Sequence, residues 1–257
     1  MTDLPFTPLP GTRARRRLYL MRHGDVDYRV PSSASAHIDT LPLTDRGEGQ
    51  ARAMGEVLRD VPFDHAAHTG LHRTRHTAEL VLGSREIDLV PVERLKEMRT
   101  GNIKAWSRDR MEREFNSAFA NATDPDRTFA EGGETYRQFW DRVMPAFLSL
   151  ATAPGWTHML LVAHGGTNRN ILAWACGAGL AGIGRWEQDS GCLNVIDLDM
   201  APGEPDGTET AGSMQVAHAM LRLANFRPDN PAHIGNNRTV LEQMVLDVRG
   251  SRDESAA

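Results

Sequence analysis

Short apolar runs alternate with longer amphipathic segments along most of the chain. The runs "LYLM" (residues 18–21) and "HMLLVA" (residues 158–163) have the length and composition of strands that are buried on both faces. Two later runs, "CLNVIDLDM" and "MQVAHAMLRLAN", are predicted to be strands joined by the Gly-, Pro- and Glu-rich segment 201–213. This alternation predicts an α/β fold, a three-layer sandwich with a mostly parallel central sheet flanked by helices.

The polar-rich segments carry a helical period. After Thr44, a candidate N-cap, the residues Ala51, Met54 and Leu58 fall on one side of a helix. In "GGETYRQFWDRVMPAFLSL" the apolar side chains also share one side, and Pro145 is expected to kink the helix. Further helices are predicted for "HRTRHTAELVLG", ending near Gly83, for "RDRMEREFNSAF", and for "TNRNILAWACG", with Thr167 as cap and Gly177 as stop.

The chain of 257 residues is long enough for one large domain or two small ones, and 40% hydrophobic and 25% charged residues are ordinary values for a globular protein with a full core. Residues 1–16 are expected to form an irregular, solvated lead-in that takes in most of the basic run "RARRR". Residues 102–131 are expected to form a charged helical or loop insert, and residues 235–257 a polar tail.

Charge and cysteine content exclude several kinds of function. The net charge of -5 argues against a nucleic-acid-binding surface. The two cysteines, Cys176 and Cys192, have no ligand spacing, so neither a disulfide framework nor a metal site is expected. We find no apolar run of secretory or membrane-spanning length, which predicts a cytoplasmic protein without membrane contact. A homodimer is compatible with the sequence.

Two predicted strands end in the same unusual way. The first ends in Arg22-His23-Gly24, and the other in Ala163-His164-Gly165-Gly166. Ligands of parallel sheets bind beyond the carboxyl ends of the strands, where each glycine allows the backbone to approach an anion closely. One such motif is weak evidence, but two of them in one chain indicate an anion-binding site.

At this point the sequence resembles the histidine phosphatase superfamily, also called the phosphoglycerate mutase-like family. The blocks that carry the resemblance occur in the family's order: "LYLMRHGD", "LPLTDRGEGQA", "TGLHRTRHTAEL", "LKEMRTG", "EGGETYRQF" and "LLVAHGG". The closing "LANFRPDNPAHI" is similar to the family's terminal segment. The resemblance implies a single domain over residues 1–257, with residues 102–131 as a cap over its active site. It also implies a metal-independent phosphatase without a cofactor that acts on a small phosphorylated metabolite.

The resemblance also implies roles for individual residues. His23 would be the nucleophile that becomes phosphohistidine, and Glu97 the general acid. Arg22, Arg73 and His164 would surround the phosphoryl oxygens, for which the planar fork of arginine is suited.

Departures from the family pattern bear on the substrate. Gly165 matches the family's phosphate-binding turn, whereas Arg29 stands where the family often has Asn and could add positive charge at the site's mouth. "GNIKAW" lacks the Tyr-containing version typical of glycolytic mutases, which favours a phosphatase over a phosphoglycerate-type mutase. A phosphate-binding regulatory protein that has lost turnover is the alternative outside the enzymes. A metallohydrolase is disfavoured because HExxH and HxH spacings are missing from the sequence.

Overall fold

A six-stranded sheet forms the centre of the part of the chain that the computed structural model describes, residues 9–28, 39–103, 106–203, 214–235 and 237–243. Its strands are β1 (Ala14–Arg22), β2 (His65–His68), β3 (Leu89–Pro91), β4 (His158–Ala163), β5 (Leu193–Pro202) and β6 (Met214–Phe226), in the order β3-β2-β4-β1-β5-β6. The pairs β3–β2, β2–β4 and β4–β1 are parallel. The pairs β1–β5 and β5–β6 are antiparallel. The predicted, mostly parallel sheet is therefore confirmed.

Helices cover both faces of this sheet. They are α1 (Asp45–Val57), α2 (His72–Leu82), α3 (Arg108–Ser117), α4 (Tyr136–Thr152) and α5 (Gly165–Ala175). Odd-numbered residues of β1, such as Met21, pack with α1 and α2 in one core. Even-numbered residues, such as Leu20, pack with α4 and α5 in the other. Because successive side chains of a strand point to opposite faces, β1 contributes to both cores, and the three-layer prediction is confirmed.

Two of the predicted helix caps are informative. Thr44 caps α1, since its side chain accepts a hydrogen bond from the backbone N–H of Gly47. The prediction of Thr167 as the cap of α5 is wrong, because α5 begins directly at the end of β4 with His164 as N-cap. Thr167 is instead the third residue of α5, and its buried hydroxyl donates to the carbonyl oxygen of Leu95 at 3.0 Å.

The prediction of an irregular lead-in over residues 1–16 is also partly wrong, because β1 begins at Ala14. Arg15 and Arg17 lie directly opposite Asp199 and Asp197 of β5 in the antiparallel register. Each arginine donates two hydrogen bonds to its carboxylate, with Nε–Oδ1 distances of 2.8 Å for Arg15 and 2.6 Å for Arg17. These basic residues belong to the strand because buried carboxylates on its neighbour neutralise them.

The segment 102–131 leaves and rejoins the core at neighbouring points. The backbone N–H of Asn102 donates to Glu131 at 2.9 Å, and that of Glu134 donates to Arg99 at 2.9 Å. Between these points lies α3, the helix predicted for this segment.

Of the predicted polar tail, the structure describes residues 235 and 237–243. Its backbone contacts the core where the N–H of Val240 donates to Glu187 Oε1 at 3.3 Å. Within the described ranges no helix is both long enough and apolar enough to cross a bilayer.

Candidate active site

The ends of β1 and β4 lie side by side and bring two histidines together. Arg22 and Ala163 are partners in the parallel register, so His23 and His164 both follow at the carboxyl edge of the sheet. Their rings are 5.3 Å apart between centroids, with an interplanar angle of 67°. Both residues are buried. The two strand-end motifs therefore form one site.

The backbone sets the protonation state of His23. Its Nδ1 lies 2.7 Å from the carbonyl oxygen of Gly24. A carbonyl oxygen only accepts, so Nδ1 carries the proton and Nε2 keeps its lone pair in the neutral ring. Burial lowers the pKa of His23 well below its usual value, and the charges of Arg22 and Arg73 lower it further. His23 is therefore a neutral imidazole near pH 7, with Nε2 available as a nucleophile.

Arg22 is held from one side. Its Nη1 donates to the carbonyl oxygen of Gln188 at 2.7 Å. Gln188 belongs to a buried amide network, in which its side chain donates to Asn194 at 2.9 Å and accepts from Asn168 at 3.0 Å. Nε of Arg22 is buried without a hydrogen-bond partner among the described residues. The guanidinium thus keeps a donor for an anionic ligand.

Arg73 adds a second positive charge beside His23 and His164. Arg73 lies in the first turn of α2 and is buried. Burial is the first cause that lowers the pKa of His164 well below its usual value, followed by Arg73, His23 and Arg22. His164 Nε2 lies 2.8 Å from the hydroxyl of Thr69, whereas Nδ1 has no hydrogen-bond partner in the described part of the chain. The positive groups that depress both histidines suit a phosphoryl dianion.

Glu97 lies in the loop after the 3₁₀ turn Glu93–Leu95, and its carboxylate reaches the N-terminus of α5. Its Oε2 accepts from the backbone N–H of Gly166 at 2.8 Å, and its Oε1 from that of Met98 at 2.9 Å. A Cβ on Gly166 would collide with Oε1, so only glycine allows the carboxylate to approach this closely. Gly165 lies beside Arg22, since a Cβ on this glycine would be 3.6 Å from Arg22 Nε.

The structure thus brings together six of the seven residues predicted from the sequence. They are Arg22, His23, Arg73, Glu97, His164 and Gly165. The seventh, Arg29, lies outside the described residues.

The loop after β1 is held by α1 through residues that the sequence analysis did not assign to the site. Asp25 N–H donates to Gln50 Oε1 at 2.9 Å, and the Thr44 hydroxyl donates to Asp25 Oδ2 at 2.8 Å. A Cβ on Gly24 would lie 2.5 Å from the carbonyl oxygen of Gly47, so the two backbones are in direct contact. The signal was present in the block "LTDRGEGQA", whose Thr, Gly and Gln all contact this loop.

The second arginine block contributes in the same way. The Thr77 hydroxyl, one turn after Arg73, accepts from the backbone N–H of Gly24 at 3.1 Å and donates to the Arg73 carbonyl at 2.8 Å. The Thr69 hydroxyl lies 3.1 Å from that of Thr74, which donates to Leu71. The threonines of this block therefore fix the loop of His23 and the ring of His164.

Comparison with known proteins decides the family. The family model of the histidine phosphatase superfamily (branch 1) matches residues 18–205. This chain belongs to that superfamily. The adenosylcobalamin/alpha-ribazole phosphatase of Salmonella typhimurium is 32% identical to this histidine phosphatase over 183 residues, which are 71% of this chain and 90% of the relative.

Two further proteins show the range of the likeness. The probable phosphoglycerate mutase GpmB of Salmonella paratyphi A is 31% identical over 169 residues, 62% of this chain and 77% of its own. The crystal structure of the alpha-ribazole phosphatase of Shigella flexneri aligns with a TM-score of 0.62 at 27% identity, covering 81% of this chain and 96% of that chain. The family, the fold and the phosphatase class predicted from the sequence are confirmed.

Proposed function

We propose that this histidine phosphatase hydrolyses a small phosphate monoester through a phosphohistidine formed on His23. The observation that carries the proposal is the hydrogen bond from His23 Nδ1 to the carbonyl oxygen of Gly24, which leaves Nε2 unprotonated. The fixed ring belongs to a buried site that also contains two arginines and a second histidine. The resulting positive potential supports catalysis that draws on protein groups alone, without a metal or cofactor.

In the first step, Nε2 of His23 attacks phosphorus and the bond from phosphorus to the leaving oxygen breaks. Arg22 and Arg73 neutralise the phosphoryl oxygens by hydrogen bonds and charge, and His164 joins them when the bound dianion favours its protonated form. Glu97 supplies the proton that the leaving oxygen takes up. Each oxygen of Glu97 accepts one backbone N–H bond, which leaves lone pairs on the carboxyl group for that proton.

In the second step, water attacks the phosphorus of phosphohistidine and the bond from phosphorus to Nε2 breaks. Glu97, now a carboxylate, takes the proton of the water and is ready for the next cycle. Inorganic phosphate leaves, and His23 returns to its neutral form. Electrons and protons balance with water as the co-reactant.

The segment 102–131 is proposed to select the substrate. Phe119 of this segment packs on α5, the helix whose Gly166 N–H binds Glu97, with its ring centroid 4.3 Å from Arg169 Cζ. The relative in Salmonella typhimurium is named as an adenosylcobalamin/alpha-ribazole phosphatase, which supports a small phosphorylated metabolite as the substrate class here. A cytoplasmic location and a homodimer stay predictions from the sequence.

Rapid quench with a ³²P-labelled aryl phosphate tests the mechanism. We expect the parent protein to yield an acid-labile, base-stable phosphoenzyme, and His23→Ala to yield neither label nor turnover. His218→Ala is the matched control, because that histidine is half-exposed on β6 and lies outside the site. Label that survives in His23→Ala would place the nucleophile elsewhere.

A mutase is the second candidate, because of the similarity to GpmB. The two activities differ in what happens to the phosphohistidine, which a mutase returns to a second substrate hydroxyl and a phosphatase gives to water. Incubation with 3-phosphoglycerate separates them. Free phosphate supports the phosphatase, 2-phosphoglycerate supports the mutase, and a protein that binds phosphate but turns over neither this substrate nor the aryl phosphate would be a regulatory member of the family.

A further inference from the structure

The segment that carries Glu97 has little secondary structure of its own. A single 3₁₀ turn, Glu93–Leu95, precedes it, and the chain then runs without regular structure to Gly101. Backbone carbonyls in such a segment need partners from elsewhere when they are buried. In this protein, the partners are side chains of α4 and α5.

Arg142 of α4 binds three of these carbonyls. Its Nη1 donates to Arg94 at 2.7 Å and to Lys96 at 3.0 Å, and its Nη2 donates to the carbonyl oxygen of Glu97 at 3.1 Å. The Thr167 hydroxyl of α5 binds the remaining one, that of Leu95. Four successive carbonyls are therefore held by two side chains, and the guanidinium fork makes the larger share of these bonds.

Glu134 holds Arg142 in this orientation. Its side chain is buried, and its two oxygens accept from Nε and Nη2 of Arg142 at 2.7 and 2.8 Å. Glu134 Oε2 also accepts from the backbone N–H of Arg99 at 2.9 Å. Burial alone would raise the pKa of Glu134, but the hydrogen bonds from Arg142 and Arg99 outweigh it and lower that pKa. The Glu134 carboxylate thus binds the backbone just after Glu97. Arg142 binds the backbone just before Glu97 and the carbonyl of Glu97 itself.

We propose that Arg142, oriented by Glu134, is a positioning residue that sets the place of Glu97 for proton transfer. This inference rests on the proposed function, in which Glu97 is the proton donor. A carboxyl group displaced by about 1 Å loses most of its contribution to the transition state, on the order of 10²-fold in rate. The nucleophile and the arginines of the phosphate site lie on other elements, so they keep their positions.

The leaving group provides the readout. In Arg142→Gln, kcat/KM for an alkyl phosphate is expected to fall by about 10²-fold. The value for p-nitrophenyl phosphate is expected to fall only a few-fold, because nitrophenolate leaves without a proton. The ratio kcat/KM reports phosphorylation of His23 alone, so a slow second step does not mask the effect. Arg137→Gln is the matched control, since Arg137 lies on the same helix and pairs with the exposed Asp126.

A double-mutant cycle with Glu97→Gln separates positioning from a structural role. If Arg142 acts through Glu97, Arg142→Gln adds little to the alkyl phosphate defect of Glu97→Gln. Additive losses, or equal losses for both leaving groups, would overturn the proposal. If Glu97→Gln shows no leaving-group dependence, the proton donor itself is misassigned and the proposed function needs revision. Arg142→Lys repeats the test where the glutamine variant does not fold, because it keeps a cation beside Glu134 with fewer donors.

Discussion

The buried carboxylate of Asp197 is expected to be a large and pH-dependent contributor to stability. Its side chain is fully buried in the sheet, where it accepts from Arg17 at 2.6 and 3.0 Å and from Arg222 at 2.8 Å. The change to test is Asp197→Asn, which keeps the shape of the side chain and removes the charge.

The expected loss of unfolding free energy depends on how well Arg17 and Arg222 are solvated without the carboxylate. Removing one partner of a buried ion pair typically costs 3–5 kcal/mol, because the other charge remains buried. The side chain of Arg17 is 23% exposed and that of Arg222 47% exposed, so both can regain water. Asparagine also keeps one acceptor for them. We therefore expect a loss of roughly 2 kcal/mol of unfolding free energy near pH 7, below that range.

The pH dependence has a definite sign. Burial raises the pKa of Asp197, but the hydrogen bonds and charges of Arg17 and Arg222 outweigh it, so the folded-state pKa lies below the ordinary value. A carboxyl group with a depressed folded pKa stabilises the protein above its unfolded pKa of about 3.9, and this stabilisation is lost as the pH falls through the folded pKa. The difference between parent and variant should be constant from about pH 5 upwards and shrink below about pH 4.

Urea unfolding at a series of pH values measures both quantities. Asp60→Asn is the control, because Asp60 is 91% exposed and its ion pair with Arg59 is long, 3.6 Å. A loss in Asp197→Asn no larger than that of the control would show that the buried pair adds nothing. A difference that widens as the pH falls would refute the linkage argument.

Three further outcomes are expected. An excess of chelator should leave the phosphatase rate unchanged, and a loss that a divalent ion restores would contradict catalysis by protein groups alone. Gly47→Ala should destabilise the protein by about 1–3 kcal/mol in urea and reduce activity, since its Cβ would meet the Asp25 backbone N at 2.7 Å, whereas Gly49→Ala has free space and should not. Thr69→Val should lower kcat/KM about tenfold by removing the hydrogen-bond partner of His164. Its Tm should stay high enough for the variant to be folded in the assay.

The sequence predicted the site better than it predicted the residues that support it. The two histidines were found because each follows an apolar strand, and parallel strands end at one edge. The role of Arg15 and Arg17 was missed, because their carboxylate partners lie some 180 residues away on a strand whose neighbour cannot be known from local pattern. For the same reason the amphipathic pattern of α4 indicated a packed helix but gave no sign that Arg142 binds the backbone around Glu97.

The two ends of the segment 102–131 meet, and we expect that this segment can be replaced by another. A Cβ on Gly101 would lie 2.6 Å from the backbone N of Gly133, so the backbone that enters the segment is in contact with the backbone that leaves it. The entropic cost of closing a loop grows slowly with its length, by about 0.6 kcal/mol for each doubling. Segments of other lengths are therefore expected to be tolerated, provided that they keep the core contact that Ala122 makes. Grafting the corresponding segment of another family member would test whether this segment carries the substrate preference.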